Sequence, residues 1–105
     1  MRAVRIDPYV LEVLMRDLVG HDRSASAFLV YLAIWHRTHG AGLRSGRLSL
    51  QQLADATGLS KSAVQAALRR LARRRLIRSA HDSPTAVREY WVLRPWASRR
   101  SSGAP

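Results

Sequence analysis

The chain has 105 residues, 47% of them hydrophobic, no cysteine and a formal net charge of +11. A chain of this length builds one core and little more, and without cysteine it has no disulfide, thiolate metal site or thiol nucleophile, so a reducing cytoplasm is the expected setting. Asp7, Pro8, Glu12 and Asp17 interrupt what would have to be a signal peptide's apolar region, and the longest apolar run, Ala27 to Trp35, is far too short for a membrane span, so a soluble protein is expected.

The positive charge is unevenly placed. Residues 1–22 hold Arg2, Arg5 and Arg16 against Asp7, Glu12, Asp17 and Asp22, a net of −1, which leaves +12 on the other 83 residues. The two parts are expected to do different jobs. An excess of this size puts acidic polymers, nucleic acid above all, at the head of the partner list. Every cation but Lys61 is arginine, in a chain also rich in alanine and leucine. Coding bias would explain that composition as well as selection for a phosphate-binding side chain would, so charge alone gives only a direction.

In chain order, Asp7 followed by Pro8 predicts a helix start, because aspartate can accept the free amides of a first turn and proline lacks one. This helix should run to about Val19, with Val10, Leu11, Leu14, Met15 and Leu18 as one broad apolar stripe. Gly20 to Arg23 breaks it. Ser24 is placed to cap a second helix from Ala25 to about His39, closed by Gly40. Its run from Phe28 to Trp35 leaves no clear polar face, so it should be the central helix. Residues 40–46 read as loop, and Arg47 to Ser49 as one short extended piece.

Ser49-Leu50-Gln51-Gln52 fits a capping box, serine at the cap and glutamine three residues on, with Leu50, Leu53 and Ala54 facing inward. Gly58 ends this helix after about eight residues, Leu59 plugs the turn, and Ser60 caps a helix of about fifteen whose buried positions are Val64, Ala67, Leu68 and Leu71. Small Ala54 lets the two helices cross closely, Gly58 permits a left-handed turn, and β-branched Val64 fills the crossing point. The unit is a helix-turn-helix. Leu76 to Ser79 and Val87 to Leu93 then read as a β-hairpin, joined by a turn of His81, Asp82, Ser83, Pro84 and Thr85. Two inward pairs fit the second strand, Tyr90 with Val92 or Trp91 with Leu93. The expected architecture is mainly α with a small β-hairpin wing, one domain over residues 1–96, and a disordered basic tail over 97–105.

The stretch LSLQQLADATGLSKSAVQAALRRLARRRLI and the hairpin after it resemble the winged helix-turn-helix regulators of the GntR and MarR kind, over roughly Ser24 to Leu93. The resemblance implies that the second helix of the motif lies in a DNA major groove with its N-terminal residues at the base edges, while the wing touches flanking backbone or minor groove. The residues support this independently. Thr57 to Ala80 contains seven basic residues and no acid, and with Val64, Leu68 and Leu71 inward, the outward positions are Lys61, Ser62, Gln65, Ala66, Arg69 and Arg73. Glutamine can pair bidentately with adenine and lysine can read guanine, so Lys61, Ser62 and Gln65 are base-reading candidates, with Ser60 beside them at the helix start. Arg69, Arg73 and the wing residue Arg88 are phosphate candidates. Ser49 and Gln51 could meet phosphate through backbone amides at a positive helix end. One departure stands out: regulators of this kind usually carry glycine where the recognition helix ends, and here Arg74-Arg75 precede Leu76. Either Arg75 accepts a strained backbone or the helix exits differently, and the wing's orientation depends on which.

His36 and His39 lie three apart on the second helix, but no third metal ligand accompanies them, and no cofactor is expected. The His-Asp pairs at 21–22 and 81–82 resemble a signature of metal-dependent phosphohydrolases, which spread their ligands over a much longer helical domain. No catalytic constellation is present, so no enzyme is expected. Trp35, Trp91 and Trp96 read as core or subunit-contact residues before a base-stacking platform. Arg70, Arg74 and Arg75 suit solvent or aliphatic packing as well as phosphate. The expectation is a sequence-specific protein of double-stranded DNA, a small transcriptional regulator or a replication-type protein of a plasmid or phage. A winged-helix protein-interaction module and a non-specific nucleic-acid binder are the alternatives. The apolar stripe of the first helix fits a homodimer contact or packing onto the second helix equally.

Overall fold

A computed structural model of the chain describes residues 2–83 and 87–97. The first helix starts at Pro8, but Asp7 does not cap it with its side chain. The Asp7 carboxylate instead accepts hydrogen bonds from Trp96 Nε1 at 2.9 Å and Arg94 Nη1 at 3.2 Å, donors from far along the chain. From Val10 to Leu14 and from Arg16 to His21 this N-terminal helix has the wide π form, whose i to i+5 bonding brings residues four apart nearly into line. Val10, Leu14 and Leu18 make one row, buried in the core, while Leu11, Met15 and Val19 make a second row, between 42% and 46% exposed. The broad stripe expected from α-helical spacing is therefore two rows, and the fold covers one of them.

Helix α1 (Ala25–Arg37) is capped by Ser24, whose Oγ accepts from the Ala27 amide at 3.3 Å. Its buried residues Ala27, Phe28, Val30, Tyr31, Ile34 and Trp35 pack among the N-terminal helix, the helix-turn-helix and the sheet, so it is the central helix that its apolar run predicts. It ends two residues early. Buried Thr38 donates from Oγ1 to the Ile34 carbonyl at 2.7 Å, a 3-10 turn follows over His39–Ala41, and Gly42, not Gly40, takes the left-handed backbone (φ 77°). Gly40 is needed for closeness instead, since a Cβ there would lie 2.7 Å from Val4 Cγ1 and 3.1 Å from the Trp35 carbonyl oxygen.

Helices α2 (Leu50–Thr57) and α3 (Lys61–Arg73) form the helix-turn-helix. Both bonds of the capping box are made: the Gln52 amide donates to Ser49 Oγ at 3.0 Å and the Ser49 amide to Gln52 Oε1 at 2.8 Å. Gly58 takes φ 78° with its amide on the Ala54 carbonyl at 2.8 Å, and Ser60 Oγ accepts from the Ala63 amide at 3.1 Å. Leu53, Ala54, Val64, Ala67 and Leu71 join the core, with Leu50, Leu59 and Leu68 half-buried around them.

The exit from α3 takes the strained route. Arg75 has φ 57°, its amide bonds the Ala72 carbonyl at 3.0 Å, and the Leu76 amide bonds the Leu71 carbonyl at 2.9 Å. Those two bonds are a Schellman closure with arginine at the left-handed position, and the Leu71 and Leu76 side chains are buried in the same cluster. Strands β1 (Gly46–Arg47), β2 (Ile77–Ala80) and β3 (Glu89–Val92) form an antiparallel sheet in the order β1-β3-β2. Ile77 pairs with Val92 and Ser79 with Tyr90, which puts Tyr90 and Val92 on the inward face. Trp91 lies on the other face under Arg78, whose guanidinium carbon is 4.2 Å from the ring centre. The expected turn residues Pro84 and Thr85, and the tail beyond Ala97, lie outside the described residues.

Contacts from the segment after β3 close the core. Tyr31 Oη donates to the Leu93 carbonyl at 3.1 Å, and Trp96 stacks on Tyr9 with ring centres 4.5 Å apart. Trp35 Nε1 donates to the Arg5 carbonyl at 2.8 Å. Burial, helped by the Asp7 charge and opposed by Arg94, pushes the Tyr31 phenol well above its usual pKa. Among the described residues no helix is long and apolar enough to cross a membrane.

Candidate nucleic-acid interface

The exposed arc of α3 follows from its buried one. With Val64, Ala67 and Leu71 in the core, the opposite side carries Lys61, Ser62, Gln65, Ala66, Arg69 and Arg73, all exposed. Lys61, Gln65, Arg69 and Arg73 have no hydrogen-bond or ion-pair partner among the described residues. Between this arc and the wing lies an open groove of about 620 Å³. Buried Leu48, Ile77 and Tyr90 with half-buried Leu68 form its apolar floor.

The groove brings together six of the nine residues singled out from the sequence: Ser49 and Gln51 at the start of α2, Lys61, Gln65 and Arg69 on α3, and Arg88 beside the wing. Ser60, Ser62 and Arg73 do not line it. Ser60 Oγ is engaged as the α3 cap and lies 3.2 Å from Ser62 Oγ, while Arg73 projects from the outward arc. Several of the grouped side chains already have work in the fold. Ser49 Oγ caps α2, Gln51 Nε2 donates to Asp55 Oδ1 at 2.8 Å, and Arg88 Nη1 donates to Ser79 Oγ at 3.4 Å. That leaves Lys61, Gln65 and Arg69 as the free polar heads on the groove. At the base of the sheet, Glu89 accepts from Ser45 Oγ and faces Arg47 Nη2 at 3.9 Å, so this acid is paired.

One cluster escaped sequence reasoning. Asp22, in the turn between the N-terminal helix and α1, has a side chain only 7% exposed, with Oδ2 at 3.4 Å from Arg74 Nε and 3.5 Å from Arg70 Nη1. His21 Nδ1 lies 3.2 Å from its other oxygen. Burial acts to raise the Asp22 pKa, but the His21 hydrogen bond and the Arg74 and Arg70 charges outweigh it and hold the carboxyl below its ordinary value. No local spacing links position 22 to positions 70 and 74. His36 is exposed, whereas His39 packs edge-on against Trp35 at 4.6 Å and lies 3.2 Å from Arg94, so the two histidines serve separate surroundings.

Residues 36–86, from the last turn of α1 into the hairpin turn, match the model of the MarR family. Over this segment the chain is similar to the MarR family, whose winged helix agrees with the helices and three-stranded sheet seen here. That family is one of DNA-binding transcription regulators, not of enzymes. The MarR match takes in the whole helix-turn-helix and eight of the nine candidate residues, with Arg88 just beyond it. The N-terminal helix, most of α1 and β3 fall outside the MarR segment. No curated protein matches the chain in sequence.

Proposed function

We propose that this winged helix binds double-stranded DNA sequence-specifically, with α3 in the major groove, as a small transcription regulator of the cytoplasm. The exposed arc of α3 carries the reading: it has no acidic residue, its cations are without partners, and Arg88 stands across the groove from it. Lys61, Ser62 and Gln65, in the first turns of α3, read base edges. Arg69, Arg73 and Arg88 neutralise phosphate, as do the amides at the start of α2 near Ser49 and Gln51. A plasmid or phage replication protein would use the same chemistry. Selection of binding sites from randomised duplex DNA at about physiological salt tests the proposal. A recovered motif is the expected outcome. With about five phosphates neutralised, log K falls with log salt at a slope near −4 to −5. Binding without a motif, and only at low salt, would make the protein a non-specific binder. A slope near zero would remove DNA and leave a protein-interaction module.

The exposed row Leu11, Met15 and Val19 is the contact between two copies of the chain in this proposal. Its support is an uncovered apolar row on a segment of net charge −1, poorly suited to DNA in a chain otherwise so basic. Two copies would set two α3 helices on half-sites about one helical turn apart, so the recovered motif would be a palindrome. A monomer mass by light scattering across micromolar concentrations would remove the dimer and leave DNA binding standing.

A further inference from the structure

We propose that Asp22 competes with DNA phosphate for Arg70 and Arg74, and thereby limits sequence-independent binding by α3. The inference rests on the reading of α3 as the helix that enters the groove. Helical geometry places the cations of α3 on two flanks of its exposed arc. On the wing side stand Lys61 and Arg69, bordering the groove. On the other side stand Arg70 and Arg74, toward the end of the N-terminal helix, where Asp22 meets them. A helix lying in the major groove has a sugar-phosphate backbone along each side. Both flanks are therefore at phosphate-contact positions, yet Arg70 and Arg74 face Asp22 while Lys61 and Arg69 on the wing flank, and Arg73 on the outward arc between the flanks, have no partner among the described residues.

The contact withholds the two arginines only while Asp22 is charged, and leaves them within reach of phosphate once that charge is removed. Asp22 Oδ2 is buried and receives no hydrogen bond, although two guanidiniums face it at ion-pair distance. Phosphate offers arginine aligned, charge-assisted bonds that this carboxylate oxygen does not. The arginine side chains keep 37–38% of their surface exposed, so they are reachable from solvent. Asp22 itself cannot follow them outward. Its amide is bonded to the Asp17 carbonyl at 2.8 Å, the next residue, Arg23, is locked in a left-handed turn (φ 53°), and the Ser24 amide is bonded to the Leu18 carbonyl at 2.7 Å. Phosphate contacts add affinity without reading sequence. Withholding two arginines therefore lowers binding to every sequence alike and leaves the base-reading residues a larger share of the total.

The experiment is the salt dependence of DNA binding by the full chain and its variants, on the selected site and on a random duplex. In Asp22→Asn the slope of log K against log salt should steepen by about 1.8, two phosphates at about 0.9 each. Between 50 and 200 mM salt this is roughly a tenfold greater loss of affinity, and the preference for the selected site should fall. Arg70→Gln and Arg74→Gln, made singly, should leave the native slope unchanged. A slope in Asp22→Asn no steeper than native would overturn the proposal. So would a slope shallower by about 0.9 in either arginine variant, which decides the matter even if Asp22→Asn fails to fold. A native slope near zero would instead overturn the DNA-binding reading itself.

Discussion

Arg75 holds a left-handed backbone (φ 57°) without the freedom of glycine, a conformation that costs a residue with a side chain about 1–2 kcal/mol. The two bonds closing α3 and the burial of Leu71 and Leu76 keep it there. Arg75→Gly should raise stability by roughly 0.5–1 kcal/mol, the relieved strain less the extra freedom of glycine in the unfolded chain, and move the urea midpoint upward. A lower midpoint would mean that the arginine stem contributes more than its backbone costs. Asp22 gives a second prediction, with its sign set by a folded-state pKa below the ordinary 3.8. The stability it contributes is complete above that ordinary value and is lost as pH falls through the lower folded one. Asp22→Asn should therefore destabilise by a constant amount between about pH 5 and 7, and the gap from the native protein should close in acid as the native carboxyl is protonated. Denaturation at three pH values checks this, and a gap that stays open in strong acid would exclude the ionic origin.

Among elements, α3 separates two kinds of contact. Gln65→Ala should cost about 1–3 kcal/mol of discrimination at one base pair with the salt slope unchanged, whereas Arg69→Ala should weaken all sequences alike and lower the slope by about 1. Binding titrations on matched and mismatched sites tell the two apart. The helix-turn-helix was legible in the sequence because each of its corners has a local chemical reason: Ser49 with Gln52, Gly58, and Ser60 all make hydrogen bonds to backbone groups three or four residues away. The N-terminal helix was legible only in part. Apolar residues at 10, 11, 14, 15, 18 and 19 satisfy the usual helical spacing, and they equally satisfy the wider π turn that splits them into two rows. The inward face of β3 could not be chosen from alternation, because both registers offered an aromatic with an aliphatic residue. The base-reading candidates were legible from the outward arc of α3, whereas the pairing of Arg70 and Arg74 with Asp22 leaves no periodic trace. Arg75 was legible as an anomaly, and its solution needed the hydrogen bonds across the helix end.

At the scale of the whole molecule, the segment after β3 fastens the first helix. Asp7 receives Trp96 and Arg94 where the sequence suggests a capping role, and Tyr9 stacks on Trp96. Trp96→Ala removes both the stack and an indole bond to a carboxylate, and should cost about 2 kcal/mol in thermal unfolding. If the N-terminal helix is the pairing element, dimerisation should weaken with it, while α3 on an isolated copy should keep its base preference. The bond from Trp96 to Asp7 joins residues 89 apart in sequence, whereas the turn of the helix-turn-helix is held by bonds spanning only a few residues. During synthesis the ribosome releases Asp7 long before Trp96, so the start of the first helix must wait for its anchor until nearly the whole fold has emerged. The element that reads DNA can take shape on the nascent chain before the element that would pair two chains is secured.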